Sequence, residues 1–393
     1  MRRAVALYPI YRATRTIPFL RALSRSYPVL LKFIAIFLFL VNLRSWPLTW
    51  HLRVWRPVVQ IKVRQLLAQL SWILQPRKIR NAKNEQFLES LSPVGVNPLD
   101  MTCSYKTWAG PDDCDFNLHL SNSCYAKNLD AARFKTSATF FPALFTSGGW
   151  VALGATHYTF IREIPILSKY EMISNLLCWD QKWIYIVTRY ITRGKNQKGS
   201  ITIPKLVHSS STSSVNGKFP SYPPTSTQPS GSSAIIELPD FGPSSTTFKQ
   251  FISTEALSAE EQGATLNCIA ISRMCFKFGR ITCPPSLVIA CEGFSNQLSK
   301  SEMQFQVPYS HVNPPPHYKK HVLPLRNPDL DNGSLKRMNK FLKGGWREVP
   351  EDQRWWEEAL GGAIEERRSA NMELVDGLRS GMDGLREMYF SVE

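Results

Sequence analysis

PDDCDFNLHLSNSCYAKNLDAARF, residues 111–134, combines a short acidic loop with the start of a helix. The loop carries three carboxylates, Asp112, Asp113 and Asp115. His119 comes four positions after the last of them, and residues 121–123 are of types that commonly cap helices. An amphipathic run then begins with Tyr125, Leu129, Ala132 and Phe134. The order of these features predicts a carboxylate-bearing loop that faces the N-terminus of a helix.

A carboxylate beside a helix N-terminus is suited to acyl chemistry. The first turn of a helix has unpaired backbone N–H groups and a partial positive charge, which stabilise a carbonyl oxygen as it gains negative charge. Asp115 would attack the carbonyl carbon directly or deprotonate a water molecule. The same spacing is also typical of a capped surface helix behind a turn, so spacing alone leaves both interpretations open.

The order of the polar residues resembles a known family. Asp115, His119, Asn122 and Tyr125 follow the pattern D-x-x-x-H-x-x-N-x-x-Y, which resembles the loop-and-helix signature of hotdog-fold acyl-thioester hydrolases. The passage is similar to the thioesterase-like branch that includes membrane-anchored members of the thioesterase superfamily and related fungal proteins. The resemblance continues through residues 148–193 and resumes at LNCIAISRMCFKFGRITCPP, residues 266–285.

This resemblance implies an α+β hotdog fold, in which an antiparallel sheet wraps around a long central helix. It implies Asp115, His119 and Asn122 as catalytic residues, with Tyr125 and Ser121 binding substrate, and neither a cofactor nor a metal ion. Many relatives have two asparagines after the histidine, and Ser121 replaces the first of them, which changes substrate orientation rather than the fold. The site of hotdog proteins usually lies at a dimer interface, so a homodimer is expected.

Two functions follow from the resemblance. The first is a membrane-associated thioesterase that acts on acyl-CoA or acyl-carrier thioesters, in fungal lipid or secondary-metabolite (polyketide) biosynthesis. The alternative is a membrane-tethered acyl-binding or scaffold protein of the same fold that has no catalytic activity. Activity of the wild type and of Asp115→Asn on acyl thioesters distinguishes them.

The basic charge of the chain is confined to its N-terminal part. Residues 1–84 contain 16 Lys and Arg and no acidic residue, whereas the remaining 31 basic and 31 acidic residues balance. This charge flanks the apolar run VLLKFIAIFLFLVNL, residues 29–43, so an anionic membrane is a better partner than nucleic acid. Extended through Trp46–Trp50, the run predicts a single-pass N-terminal membrane-anchoring helix (apolar span about 29–50) in the endoplasmic reticulum or another endomembrane. A mitochondrial presequence is the alternative.

The chain is expected to have three parts. Residues 1–84 form the basic membrane anchor, and residues 85–306 form the hotdog domain, with strands at 101–108, 150–161, 170–179, 182–192 and 266–278 and the central helix at 122–139. Residues 194–263 interrupt this domain with a Ser/Thr/Pro-rich insert that is expected to be disordered; retained intron sequence and a binding loop are the alternatives. Residues 307–393 form a Pro-rich linker and C-terminal amphipathic helices, broken at Gly361–Gly362. The apolar stripe of these helices is expected to pack on the body or on a second subunit, and binding of a partner is the alternative.

Two further groups of residues, the cysteines and three histidines, have side chains of the types that act as nucleophiles or bind metal ions. The eight cysteines lack disulfide or zinc spacing, which indicates a reducing compartment, and Cys114 is an alternative nucleophile for which no base is evident. His311, His317 and His321 lie close together in the Pro-rich passage, but without an accompanying carboxylate or cysteine they make a weak zinc candidate.

Overall fold

The computed structural model describes residues 18–193, 251, 254–255, 263–296, 307–326 and 335–390. Most of the predicted insert, and with it the expectation of disorder, lies outside these residues. The strands of the described part are β1 Thr102–Trp108, β2 Trp150–Phe160, β3 Lys169–Trp179, β4 Ile184–Arg193, β5 Ala264–Phe278 and β6 Ile281–Cys283. Its α-helices are α1 Pro18–Val41, α2 Thr49–Ser71, α3 Arg77–Glu89, α4 Asn122–Phe140, α5 Pro142–Thr146, α6 Pro285–Cys291, α7 Leu323–Arg326, α8 Leu335–Leu342, α9 Trp355–Ala359 and α10 Ala363–Phe390.

The strands form one antiparallel sheet in the order β1-β3-β4-β5-β2, with β6 added beside the end of β5. The long helix α4 lies on one face, where Leu129 and Ala132 contact a cluster that includes Met172 of β3, Tyr190 of β4 and Ala270 of β5. This is the predicted α+β arrangement of an antiparallel sheet around a central helix. The strand and helix bounds agree with the sequence because β-branched and aromatic residues are concentrated between clear turn signals.

Helix α10 covers the opposite face of the sheet. Val375 of α10 is fully buried and contacts a cluster that includes Val187 of β4 and Ile271 of β5. Because both faces are covered, the residues of β4 and β5 are buried almost continuously instead of at alternate positions. Gly362, with φ +64°, separates α9 from α10, which confirms the predicted break. In the described part of the apolar stripe, Ile364 and Val375 are buried against the body.

The N-terminal helices do not form the predicted anchor. No helix among the described residues is long and apolar enough to cross a membrane. The single-pass anchor, and the endomembrane location that depended on it, are therefore wrong. Helix α1 is continuous but ends at Val41, and Lys32 breaks its apolar run. A 3₁₀ turn and then a second helix follow, so no single helix makes the extension to about 20 apolar residues.

Helix α2 instead packs along α4. Arg53 of α2 donates a hydrogen bond to Asn128 Oδ1 of α4, and the ring of Trp55 lies 5.4 Å from that of Phe134. Contacts between the N-terminal segment and the sheet-and-helix unit therefore cross the predicted domain boundary at residue 84.

Candidate functional site

The residues between β1 and α4, 109–121, form the acidic loop, which closes on itself through backbone hydrogen bonds. Asp115 N donates to His119 O (3.0 Å), and Leu118 N donates to Asp115 O (3.1 Å). Leu118 has φ +62° at the tip of this turn. The carboxylate of Asp115 also accepts a hydrogen bond from Asn117 N at 2.9 Å. These bonds hold Asp115 and His119 on the same side of a tight turn.

A chain of three titratable side chains begins at Asp115. Its Oδ2 lies 3.4 Å from His119 Nδ1, and His119 Nε2 lies 3.3 Å from Glu163 Oε1. Asp115 and His119 are partly exposed, and the side chain of Glu163 is 73% exposed. The imidazole therefore bridges a carboxylate near the helix and a carboxylate at the solvent boundary, and it can hold Asp115 in a fixed orientation.

Glu163 was not found from the sequence. It follows β2, and that segment meets the acidic loop through the backbone hydrogen bond from Leu120 N to Ile164 O (2.8 Å) and an antiparallel bridge between His119 and Pro165. A single carboxylate in the segment REIP, residues 162–165, is typical of an ordinary surface segment and does not indicate a functional residue. Only this non-local pairing brings Glu163 to the histidine.

The N-terminus of α4 presents backbone donors that no side chain caps. Ser121 precedes the helix in an extended conformation and makes no side-chain cap; its hydroxyl is 3.1 Å from that of Ser123. The Ser121 carbonyl accepts hydrogen bonds from Cys124 N (2.8 Å) and Tyr125 N (3.3 Å). Asn122 is the first helical residue, and it is exposed. The backbone N–H groups of the first turn are thus free of a side-chain cap, as an anion or oxyanion site requires.

Tyr125 lies beneath this helix end. Its ring is 5.1 Å from the rings of both Phe160 and Tyr190, and its backbone carbonyl accepts a hydrogen bond from the Tyr190 hydroxyl (2.9 Å). Burial raises the pKa of the Tyr125 hydroxyl well above its ordinary value, so the hydroxyl is neutral. Tyr125 therefore supports the helix end from the core, whereas Ser121 and Asn122 lie at the surface.

The three aspartates of the loop have different environments. Asp112 is exposed, whereas the side chain of Asp113 is only 1% exposed. Its carboxylate lies 3.2 Å from Arg44 Nε and 3.1 Å from Lys127 Nζ. Two cations compensate this buried charge, which makes Asp113 a structural residue of the loop.

Cys114 stands between the buried and the partly exposed aspartate. Burial and the negative charge of Asp113 raise the pKa of its thiol above the ordinary value. Since the thiolate is the nucleophilic form, this environment disfavours Cys114 as the nucleophile.

The C-terminal histidines lie elsewhere in the fold. His317 and His321 flank the ring of Trp355, at 6.2 and 5.0 Å between ring centroids, and line a cavity of about 370 Å³. Burial lowers the pKa of His317 to about 4. The described residues contain no group of three His, Cys, Asp or Glu side chains placed to hold a metal ion.

Comparison with known proteins finds a family match that includes the acidic loop. Residues 109–225 match the Thioesterase-like superfamily. The chain carries a thioesterase-like superfamily domain. This match begins at the acidic loop and includes α4, β2, β3 and β4.

Curated relatives of the thioesterase-like domain include fungal proteins. A probable thioesterase of Saccharomyces cerevisiae is 32% identical over 107 residues, which are 26% of this chain and 46% of the relative. A probable thioesterase of Emericella nidulans is 26% identical over 199 residues, 44% of this chain and 59% of the relative. The chain thus spans about half the length of these relatives. A solved acyl-CoA hydrolase of Staphylococcus aureus, in complex with butyryl coenzyme A, coenzyme A and coenzyme A disulfide, overlaps 44% of this chain and 63% of its own at 8% identity with a TM-score of 0.24, too low to support an argument.

Proposed function

We propose that the protein hydrolyses acyl thioesters, with Asp115 as the base or nucleophile. The observation that supports this best is the chain Asp115–His119–Glu163 in the loop that leads directly into the uncapped N-terminus of α4. A carboxylate and a group of oriented backbone donors are the two parts that attack on a thioester carbonyl requires. The match to the Thioesterase-like superfamily starts at the same loop.

The proposed roles follow from position. The substrate carbonyl oxygen receives hydrogen bonds from the first-turn N–H groups at Asn122 and Ser123, where charge develops as the carbonyl carbon is attacked. Asp115 either attacks that carbon to form an anhydride, which water then hydrolyses, or removes a proton from the attacking water. In both routes the C–S bond breaks and the fatty or polyketide acid is released. When Asp115 acts as the base, the leaving thiolate takes the proton that Asp115 removed from water; when Asp115 is the nucleophile, the thiolate leaves first and is protonated by solvent, and water then hydrolyses the anhydride to the acid and the free Asp115 carboxylate. His119 keeps the Asp115 carboxylate directed at the helix end.

The substrate class is an acyl thioester of coenzyme A or of an acyl carrier. Several relatives are thioesterases of filamentous fungi, among them proteins of Emericella nidulans and Penicillium oxalicum. We therefore propose a role in fungal lipid or secondary-metabolite metabolism. The side chains of Ser121, partly exposed, and Asn122, exposed, lie at the helix end and are suited to orient the acyl carbonyl.

We also propose that the protein is a homodimer that pairs through β2. This strand forms an edge of the sheet and exposes large apolar side chains at Trp150, Leu153 and Phe160. The ring of Phe160 contacts Tyr125, just below the start of α4. A second copy on this edge would therefore border the proposed site and cover its apolar side.

The test is thioester hydrolysis by the full chain on a panel of acyl-CoA substrates. Asp115→Asn preserves size and removes the charge, so kcat should fall about 100-fold or more, as for loss of general-base catalysis. Asp112→Asn is the matched control, because Asp112 is an exposed aspartate of the same loop, and its rate should stay within a few-fold of wild type.

Full activity in Asp115→Asn would show that another residue carries the reaction. If the wild type binds acyl-CoA but hydrolyses none of the panel, the acyl-binding alternative replaces this proposal.

A further inference from the structure

Arg44 joins the N-terminal segment to the acidic loop. Its Nη1 donates to the Trp108 carbonyl, and its Nη2 donates to Thr107 Oγ1 at 2.8 Å, so the guanidinium binds the end of β1. Its Nε lies 3.2 Å from Asp113 Oδ2 inside the loop. The guanidinium also lies over the Trp108 ring, 5.2 Å from the ring centroid. Each guanidinium nitrogen thus contacts the strand end or the loop.

The backbone that carries Arg44 is held in place by neighbouring contacts. The Arg44 carbonyl accepts a hydrogen bond from Thr49 Oγ1 (2.9 Å), at the first residue of α2. Helix α2 is itself fixed on α4 by the hydrogen bond from Arg53 to Asn128, and Arg44 Nη2 lies 3.3 Å from the same Asn128 Oδ1. Arg44 therefore reaches the loop from a segment that already packs on the central helix.

Asp113 links Arg44 to the acidic loop and to the start of α4. Its carboxylate binds Arg44 and Lys127, while its backbone carbonyl accepts a hydrogen bond from Ser121 N (3.0 Å), the residue before α4. Cys114 then pairs with Leu120 in an antiparallel bridge that closes the turn containing Asp115. The orientation of Asp113 thus determines both where the loop turns and where α4 begins.

We propose that Arg44 is a positioning residue: it anchors Asp113 to the end of β1 and so holds Asp115 beside the N-terminus of α4. Its effect on turnover rests on the proposed thioesterase function, whereas its effect on the loop does not. The segment before α2 then belongs to the functional site, although the family match begins only at residue 109.

Cys114 provides a readout of the loop that is independent of catalysis. All eight cysteines lie in the described part of the chain, and Cys114 is partly exposed whereas the other seven are buried. Burial raises the pKa of the Cys114 thiol, and the positive charge of Arg44 opposes that rise. Loss of that charge alone would therefore reduce the thiolate and slow alkylation. Release of the loop would expose the thiol and accelerate alkylation, so the two effects have opposite signs.

The experiment measures iodoacetamide modification of each cysteine by peptide mass spectrometry in the full chain. The variants are Arg44→Ala, the conservative Arg44→Lys and, as a control, Lys106→Ala, which removes an exposed cation from β1. In Arg44→Ala we expect Cys114 to react at least about fivefold faster, while fully buried Cys291 stays protected. Arg44→Lys should lie between Arg44→Ala and wild type, because a lysine keeps the charge near Asp113 but cannot bind the strand end at the same time.

Hydrolysis of acyl-CoA by the same variants provides the second readout. Because Arg44 contacts Asp113 and the end of β1 and not Asp115, kcat of Arg44→Ala should fall about tenfold or more with KM within a few-fold, as for a misplaced reacting group. If the wild type hydrolyses no thioester, the proposed function fails, and the alkylation result still decides the role of Arg44 in the loop.

Three outcomes overturn the proposal. One is Cys114 reactivity in Arg44→Ala that is unchanged or slower than in wild type. Another is parallel acceleration at Cys114 and Cys291, which would show general unfolding. The third, in an active enzyme, is unchanged kcat despite a released loop.

Discussion

At the scale of the residue, two aspartates separated by a single residue have opposite surroundings. Asp113 is buried between Arg44 and Lys127, whereas Asp115 remains partly exposed and faces His119. A buried carboxylate with two cations is costly to disturb, since an unpaired buried charge destabilises by about 3–5 kcal/mol. A carboxylate at the solvent boundary is free to meet a substrate. The loop therefore separates a structural role from the proposed catalytic one.

His119 and Glu163 should contribute unequally to turnover. His119→Gln removes the contact to Asp115, and we expect a loss of roughly tenfold in kcat, equivalent to one hydrogen bond to a charged group. Glu163→Gln should change kcat by less than about threefold, because an exposed ion pair contributes little. Steady-state kinetics of both variants check this order. A larger loss in Glu163→Gln than in His119→Gln would assign Glu163 a direct role in the reaction.

Glu292 should make the stability of the fold depend on pH. Burial raises its pKa to about 7, although the N–H groups of Ala143 and Leu144 (2.9 Å each) and the charge of Arg326 act in the opposite direction. The folded state therefore holds a proton that the unfolded chain releases near pH 4.5. The stabilising effect of this proton is complete below pH 4.5 and is lost as pH rises through about 7.

Thermal unfolding at pH 5 and pH 8 tests this dependence. The wild type should lose stability between the two values by up to about 3 kcal/mol from this group. Glu292→Gln cannot titrate and should show a smaller difference between the two pH values. An equal difference in variant and wild type would assign the pH dependence to other groups.

At the scale of the element, Glu255 ties the connection between β4 and β5 to the sheet. Arg189 of β4 binds Glu255 through two nitrogens, with a distance of 2.8 Å from Nη2 to Oε1, and it also donates to Asn175 of β3. Deletion of residues 195–250 retains Glu255 and should leave the melting temperature within a few degrees, because loop closure changes by only about 0.6 kcal/mol per doubling of length.

A longer deletion provides the comparison. Removal of residues 195–262 with a short turn in their place also removes Glu255, so it should melt below the shorter deletion. A collapse of the shorter deletion would show that residues 195–250 are needed for folding.

At the scale of the whole molecule, we expect two copies of the chain to pair through the exposed edge strand β2. Leu153 is 51% exposed on this edge, and an aspartate there would place a charge inside the proposed dimer interface. Light scattering coupled to size-exclusion chromatography should give a dimer for the wild type and a monomer for Leu153→Asp. Val312→Asp, at a residue that is 95% exposed on another part of the surface, is the control and should remain dimeric. A monomeric wild type, or a dimeric Leu153→Asp, would contradict pairing through β2.

The sequence by itself determined the elements of this protein. Turn residues, β-branched runs and the helical period act over a few positions, so β1–β5, α4 and the break at Gly361–Gly362 were predicted close to their observed bounds. The same local patterns predicted an anchor from the apolar run 29–43, because hydropathy carries no information about the turn that follows Val41.

Only the tertiary structure decided which side chains meet. Glu163 reaches His119, and Arg44 reaches Asp113, through contacts between segments far apart in the sequence. Spacing places Asp113 and Asp115 in one loop, but burial depends on what covers that loop, and the covering residue comes from the segment before α2. The local sequence therefore determines which residue types the candidate site contains, whereas packing over the whole chain determines their environments.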